Sequence, residues 1–566
     1  MPKLTADEIA AKDAARLNEL GYKQELKREL SSIGNYGVAL SVVCISSGLT
    51  SLFSYGLNTG GPVAMTWGWL VVFLFTTFVG LAMSGKVACS IAKISSAYPT
   101  SGGLYWWAAR LSKPKYAPFA SWMTGWFNLI GQFAVTAGID YGIALMLGAV
   151  IEIGTNGAWV PSVGATVGIH IAICITHGIA NSLGPKVMTT INSISTWWQV
   201  LAPTIILITI AAKAPTHQPA SFVFTYYNNN TGWGSTAYVV LVGLLQAQFT
   251  LTGYDSSAHL SEETHNAEVS GPVGMTMAII VACGNQTRTV SGIMGWFFII
   301  GFLFCIQDFQ STITTATNFP VMQIIVDCVG SGGGIALMVI LILACWFCGF
   351  ASVTANSRMI YAFSRDGAMP GSHYWHAINK KVQTPVNAVW LSVTVAAILG
   401  LPSLGNATAF SAITSVATIG LYISYAIPIA AKLMNKKQFK RGPLHLGRFS
   451  EFVGAVAVLW ICFITILFVL PPVSPVTPVN MNYACLAIGA VIIGAGGRWV
   501  IDGHKWFKGP VINLSDAERA HVHLDQDGPL NQADDEEKVQ HIDDGMNKNE
   551  KIAAASDEEK VSEADN

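Results

Sequence analysis

Residues 250–255, Thr-Leu-Thr-Gly-Tyr-Asp, place two hydroxyls, a glycine, a phenol and a carboxylate at the end of an apolar run. Residues 46–51, Ser-Ser-Gly-Leu-Thr-Ser, interrupt another apolar run in its middle. Backbone freed at such breaks offers N–H groups to an anion and carbonyls to a cation. Two carboxylates, Asp140 and Asp255, sit among apolar neighbours. A carboxylate at membrane depth costs at least about 2.5–3.5 kcal/mol, so it normally faces a cavity or a partner. Either residue could carry a proton or pair with an ammonium group. Asp255 is equally a helix-capping residue, and Asp140 equally a structural hydrogen-bond partner. No nucleophile–base arrangement stands out. Cys345 and Cys348 form one CxxC without a second pair, and His170 and His177 have no third ligand at metal spacing. These read as packing and hydrogen-bonding residues, so neither an enzyme nor a metal or cofactor site is expected.

The elements that must hold these residues are membrane spans. The chain has 566 residues, 52% hydrophobic and 11% charged, against about 25% charged in soluble domains. Its charges crowd into a few segments and leave long uncharged runs. Runs of about 18 or more apolar residues predict transmembrane helices. Twelve are expected, near 34–56, 63–84, 119–150, 162–182, 190–212, 236–256, 272–306, 334–357, 386–402, 407–431, 452–471 and 481–500. The fold class is therefore all-α and membrane-embedded. Residues 1–33 read as a polar cytosolic arm, 34–500 as the membrane domain and 501–566 as an acidic, disordered cytosolic tail. Placing both termini in the cytosol puts 30 of the 32 lysines and arginines inside, with Lys213 outside and Arg288 ambiguous. The loop 214–235 is then external, and Asn229-Asn230-Thr231 is a glycosylation sequon. No signal peptide is read at the N-terminus.

Irregular backbone at membrane depth survives only where it lines a cavity or is buried in protein. The breaks in spans 1 and 6 are five spans apart, the offset of an inverted repeat. The chain resembles the amino acid–polyamine–organocation superfamily, and within it the fungal and plant amino acid/choline transporter group that includes GABA permeases. The resemblance covers about residues 30–505. It is carried by SSGLTSLFSYGLNTGGPVAMTWGW after residue 45, SSAYPTSGGLYWWAARL (95–111), WFNLIGQFAVTAGIDYG (126–142), GYDSSAHLSEET (253–264) and SRMIYAFSRDGAMP (357–370).

The resemblance implies a LeuT-like 5+5 inverted repeat plus two helices, with spans 1 and 6 discontinuous. It implies that the N–H groups of Ser47, Gly48, Leu49 and Thr50 hold a substrate carboxylate. The backbone at Thr250, Thr252, Gly253 and Tyr254 would hold the amine, and Phe249 would close over the substrate. Asp255 falls at a cytosolic gate that titrates with transport, with Asp140 sharing the coupling or contacting substrate. Beside the resemblance, Trp197 and Trp198 in span 5 are candidates for lining the pathway, with lipid or core packing the alternative for at least one of them. Gln199 stands where several proton-coupled relatives carry an ionisable residue, which moves the burden of coupling to Asp140 or Asp255. Arg358, Arg365 and Asp366 are expected to form gate salt bridges.

The implied activity is proton-coupled secondary transport of small amino acids, with GABA or a related ω-amino acid first. Choline and a non-transporting amino-acid sensor are the alternatives. The expected partners are the substrate, protons and the bilayer, with no nucleic acid. The membrane is the plasma membrane, with the vacuolar membrane as alternative. Span 7 would run 35 residues, about 52 Å at 1.5 Å per residue, against a core of about 30 Å. Residues 282–290, Ala-Cys-Gly-Asn-Gln-Thr-Arg-Thr-Val, read as an insertion into it.

Overall fold

The computed structural model describes residues 6–84, 95, 98–279, 291–406, 408–435 and 449–512. The stretch 282–290, most of the basic loop 432–448 and the acidic tail beyond 512 lie outside the described residues. The protein is a multi-span helical membrane protein. Ten described helices are long and apolar enough to cross a membrane. Two shorter apolar helices, Thr236–Thr250 and Ser291–Phe304, occupy the expected positions of spans 6 and 7. The sixth falls short because its helix stops at Thr250, as its polar run anticipates.

Local chemistry sets the boundaries. Ser31 caps the first span, its hydroxyl accepting from the Gly34 N–H at 3.1 Å, which relieves one of the unpaired donors of a helix start. Ser162 caps the fourth span in the same way. Pro185 opens the fifth at the position where its missing N–H costs nothing. The first, third and tenth spans are the most enclosed, and the twelfth the least. The third span, Ala117–Gly154, packs against the tenth, Ala409–Met434, and the eighth, Pro320–Arg365. The eighth is kinked at Gly330 (φ 75°, ψ 170°).

At one end of the bundle, Thr59–Gly60 pairs antiparallel with Asn228–Asn229. The sequon lies in this folded segment. The Asn229 side-chain carbonyl accepts from Thr231 N–H (3.0 Å) and hydroxyl (2.7 Å), and its amide donates to Trp233 O at 2.8 Å.

At the other end the N-terminal segment is folded onto the membrane domain. A helix, Ala6–Glu19, buries Leu17, and the chain after it buries Tyr22 and Leu26. The N–H groups of Glu29 and Leu30 donate to Glu263 O, and His265 N–H returns a bond to Leu30 O at 2.9 Å. Asp13 accepts from Asn266 N–H at 2.6 Å.

Candidate functional site

The first span is two helices, Ser32–Val42 and Ile45–Ser51, joined through Val43 (φ −77°, ψ 55°) and the extended Cys44. The break therefore precedes Ser47–Thr50, which lie inside the second helix. Two effects move it. Cys44 caps the new helix, with Ser47 N–H donating to its Sγ at 3.3 Å and Gly48 N–H to its carbonyl at 3.2 Å. The hydroxyls of Thr50 and Ser51 bond back to the carbonyls of Ser46 and Ser47, so these polar residues are satisfied within a helix. The N–H of Gly48 is thus used internally, that of Ser46 also interacts with the Cys44 thiol, and no described hydrogen bond reaches the N–H of Ile45. The hydroxyls of Ser46 and Ser47 are buried without a partner. The unpaired donors at this break are the Ile45 N–H and the hydroxyls of Ser46 and Ser47, displaced from the expected N–H groups of 47–50.

The sixth span breaks where its residues indicate. The helix Leu245–Thr250 ends, Gly253 takes φ +91°, and a short helix resumes at Ser256–His259. That φ belongs to the left-handed region that glycine enters without a Cβ penalty. No described hydrogen bond is accepted by the backbone carbonyls of Thr250, Leu251 or Thr252. The two broken spans come closest together at Gly48: a Cβ there would lie 2.7 Å from Thr250 Cα and 2.4 Å from its Oγ1. Gln246 Nε2 ties the pair by donating to Leu49 O at 3.0 Å. Phe249 lies against the third span, where a Cβ at Gly138 would stand 3.1 Å from its ring. Thr252 hydrogen-bonds to Gln248 O, and the ring of Tyr254 lies 5.2 Å from that of Tyr425. Both breaks, with unpaired donors on one span and free carbonyls on the other, are buried, and the spans meet at Gly48 and Thr250.

Asp255 lies beneath this crossing, fully buried. Its carboxylate accepts from Tyr425 OH (2.6 Å), Asn128 Nδ2 (3.1 Å) and Gln132 Nε2 (3.3 Å), and His259 Nε2 stands 3.3 Å away. It makes no capping bond to the helix it precedes. The carboxylate joins the third, sixth and tenth spans.

Asp140 is placed elsewhere. Gly138 and Gly142 face Phe249 and Ser51, and Asp140 is turned about 200° from each. It pairs with His177 Nδ1 at 3.0 Å and accepts from Cys174 Sγ at 3.2 Å, close against Gly349 of the eighth span. Both His170 and His177 point inward, each hydrogen-bonded to a backbone carbonyl. Trp197 is 72% exposed on the outer face of the fifth span and lines no pathway in this conformation. The buried polar residues Asn192, Ser195 and Gln199 share the inward face of this span, and Trp197 lies on the opposite side. Trp198 donates to Ile340 O, and Gln199 reaches the first break, accepting from Cys44 Sγ at 3.0 Å.

On the side of the N-terminal segment, charged residues at the end of the eighth span pair with those after the sixth. Arg365 forms a two-bond pair with Glu262 at 3.0 Å each, and Arg358 pairs with Glu263 at 2.6 Å, both largely buried. The guanidinium of Arg365 also lies 4.2 Å from the centre of the Tyr22 ring. Asp366 accepts from Tyr105 OH (2.8 Å), Tyr22 OH (3.1 Å) and Val511 N–H (3.3 Å). Burial pushes its carboxyl up to about 6, with Arg365 opposing.

Sequence reasoning missed Cys44, Gln246, Asn128, Gln132, Tyr425 and His259. Asn128 and Gln132 carried a signal: amides four apart in an apolar span share a face that needs polar company. Among the described residues no cluster of three or more metal-binding side chains occurs.

Residues 33–492 match the family described as amino acid permease. The chain is 43% identical over 515 residues to the amino-acid permease BAT1 homolog of Oryza sativa subsp. japonica, covering 88% of this chain and 96% of that one. It is 40% identical over 514 residues to amino-acid permease BAT1 of Arabidopsis thaliana, with the same coverage. It is 30% identical over 531 residues to the GABA-specific permease of Saccharomyces cerevisiae, covering 91% and 90% of the two chains.

Proposed function

The chain belongs to the amino acid permease family, and from that premise we propose that it is a proton-coupled secondary transporter of small amino acids, with GABA or a related ω-amino acid as first substrate. The observation that carries the reading is the contact of two broken spans at Gly48 and Thr250. The substrate carboxylate sits at the Ile45–Ser47 end of the second half of span 1, where the Ile45 N–H and two serine hydroxyls lack partners. The ammonium group takes the carbonyls of Thr250–Thr252, and Phe249 covers the pair. The helices follow a LeuT-like inverted repeat, and both ends of the chain face the cytosol at the plasma membrane.

Transport proceeds by alternating access. Glu262 and Glu263, just after the sixth span, and Arg358 and Arg365, at the end of the eighth, form the cytosolic gate. Asp255 carries the coupled proton, because it bridges three spans that must separate for the site to open inward. Asp140, paired with His177 between the third, fourth and eighth spans, holds the scaffold together.

The test is uptake in permease-deficient yeast of labelled GABA and labelled choline, with and without a protonophore, at pH 5 and 7.5. Protonophore-sensitive GABA uptake that is lost on Asp255→Asn supports the reading. Choline uptake without GABA uptake overturns it, since choline has no carboxylate for the first break to hold.

A further inference from the structure

The third and twelfth spans do not close on each other along the outside of the bundle. Between them and the loop after the eighth span lies a groove of about 750 Å³, within the roughly 300–1,000 Å³ of small-molecule sites. Its walls include Trp126, Ile130 and Phe133 of the third span and Ala487, Gly494 and Arg498 of the twelfth. Small residues make it deep: a Cβ at Gly494 meets nothing within 4 Å. Arg498 stands at one end, and Ala487 lies eleven residues along the helix, about 16 Å at 1.5 Å per residue. That is close to half of the roughly 30 Å hydrocarbon core, one leaflet.

The open end is basic and aromatic. His504, Lys505 and Lys508 are exposed just beyond Arg498. Lys113 and Lys115 are exposed just before the third span, whose Phe119 ring lies 5.5 Å from Trp499. Among the described residues, Asp502 pairs with Arg498 at 2.9 Å, and no ion pair engages Lys113, Lys505 or Lys508. Trp122, Trp499 and Trp506 cluster at the same level, as aromatic residues do at the membrane interface.

We propose that this groove is a binding site for one anionic glycerophospholipid, with an acyl chain along the third and twelfth spans and the phosphate among Arg498, Lys505 and Lys508. The one-leaflet length fits an acyl chain and is too short for a crossing helix. A second copy of this chain, related by a two-fold axis, would bring the same cations against themselves. Each basic residue near an anionic membrane surface contributes about fivefold in affinity, so charge selects the headgroup while the groove selects the chain.

The experiment is native mass spectrometry of the delipidated full-length protein, offered equal amounts of phosphatidylserine and phosphatidylcholine of the same acyl chains. One phosphatidylserine retained at least about tenfold over phosphatidylcholine is expected. Gly494→Phe, which fills the groove from an open position, is expected to lose that lipid at an unchanged melting temperature. Arg498→Gln is expected to keep lipid but lose the headgroup preference. Unchanged retention by Gly494→Phe overturns the proposal, as does equal retention of both lipids by the wild-type chain. It is also overturned if inorganic phosphate raises the melting temperature as much as the lipid does, or if the groove variant instead dissociates a dimer.

Discussion

Gly48 is where the two broken spans have no room to spare. An alanine there puts its methyl carbon 2.7 Å from Thr250 Cα and 2.8 Å from Thr250 Cβ. Carbon atoms pack at about 3.5–4.0 Å, so roughly 1 Å of separation is missing. The nearest carbon is backbone, which cannot rotate away. Overpacking of this kind costs about 1–3 kcal/mol, and at 1.4 kcal/mol per factor of ten that is about 5- to 150-fold. The strain falls on the geometry that would hold the substrate, so it is expected in transport efficiency. Gly48→Ala should reduce initial-rate uptake of the best amino-acid substrate, corrected for surface expression, by at least about fivefold. Gly496→Ala, at a position where a Cβ meets nothing within 4 Å, should transport normally. Removing the Thr250 hydroxyl as well should not restore Gly48→Ala, because the new methyl still meets the backbone of residue 250. Uptake by Gly48→Ala above half of wild type with an unchanged KM would refute the reasoning.

Glu263→Gln leaves Arg358 buried beside a neutral partner, and breaking such a pair costs about 3–5 kcal/mol; thermal melting should show it, and a loss under about 0.5 kcal/mol would mean the pair is not structurally significant. Asp366 has its carboxyl raised from 3.8 to about 6 where the N-terminal segment and residue 511 close over it. The docked state therefore binds the proton more tightly; its gain is fully present below about pH 4 and lost as pH rises through about 6. Hydrogen exchange of residues 6–30 should slow on going from pH 7.5 to pH 5 after correction for intrinsic rates, and Asp366→Asn should flatten the response; no pH response in the wild type would count against it. Trp197→Ala should change uptake by less than about twofold, since the ring is exposed outside the bundle; a tenfold loss would place it on the pathway in another conformation.

The break in span 6 was legible because glycine and threonine interrupt an apolar run, and Gly253 does adopt a φ of +91°. The break in span 1 was legible as existing but misplaced by three to four residues. Hydroxyls at 50 and 51 return to their own helix, so polarity there does not mark irregular backbone. The residue that does mark it, Cys44, looks like any small apolar residue. Helical phase was the second obstacle. Asp140 comes two residues after Gly138, enough to turn one to the sixth span and the other to the fourth and eighth. Phase also separates the tryptophans of span 5: Trp197 lies opposite the buried Asn192, Ser195 and Gln199, the lipid-packing alternative for that pair. The ion pairs of Arg358 and Arg365 were anticipated from charge position, whereas their partners Glu262 and Glu263 required the fold.

Proton-coupled transport is tested most directly by uptake into liposomes holding the purified protein under an imposed inward proton gradient. Labelled GABA and a panel of small amino acids would be offered, for wild type and Asp255→Asn. The expected result is saturable accumulation of an amino acid above its external concentration, abolished by collapsing the gradient and absent in Asp255→Asn. Unsaturable flux that only follows the substrate gradient, or accumulation indifferent to the proton gradient, would contradict it.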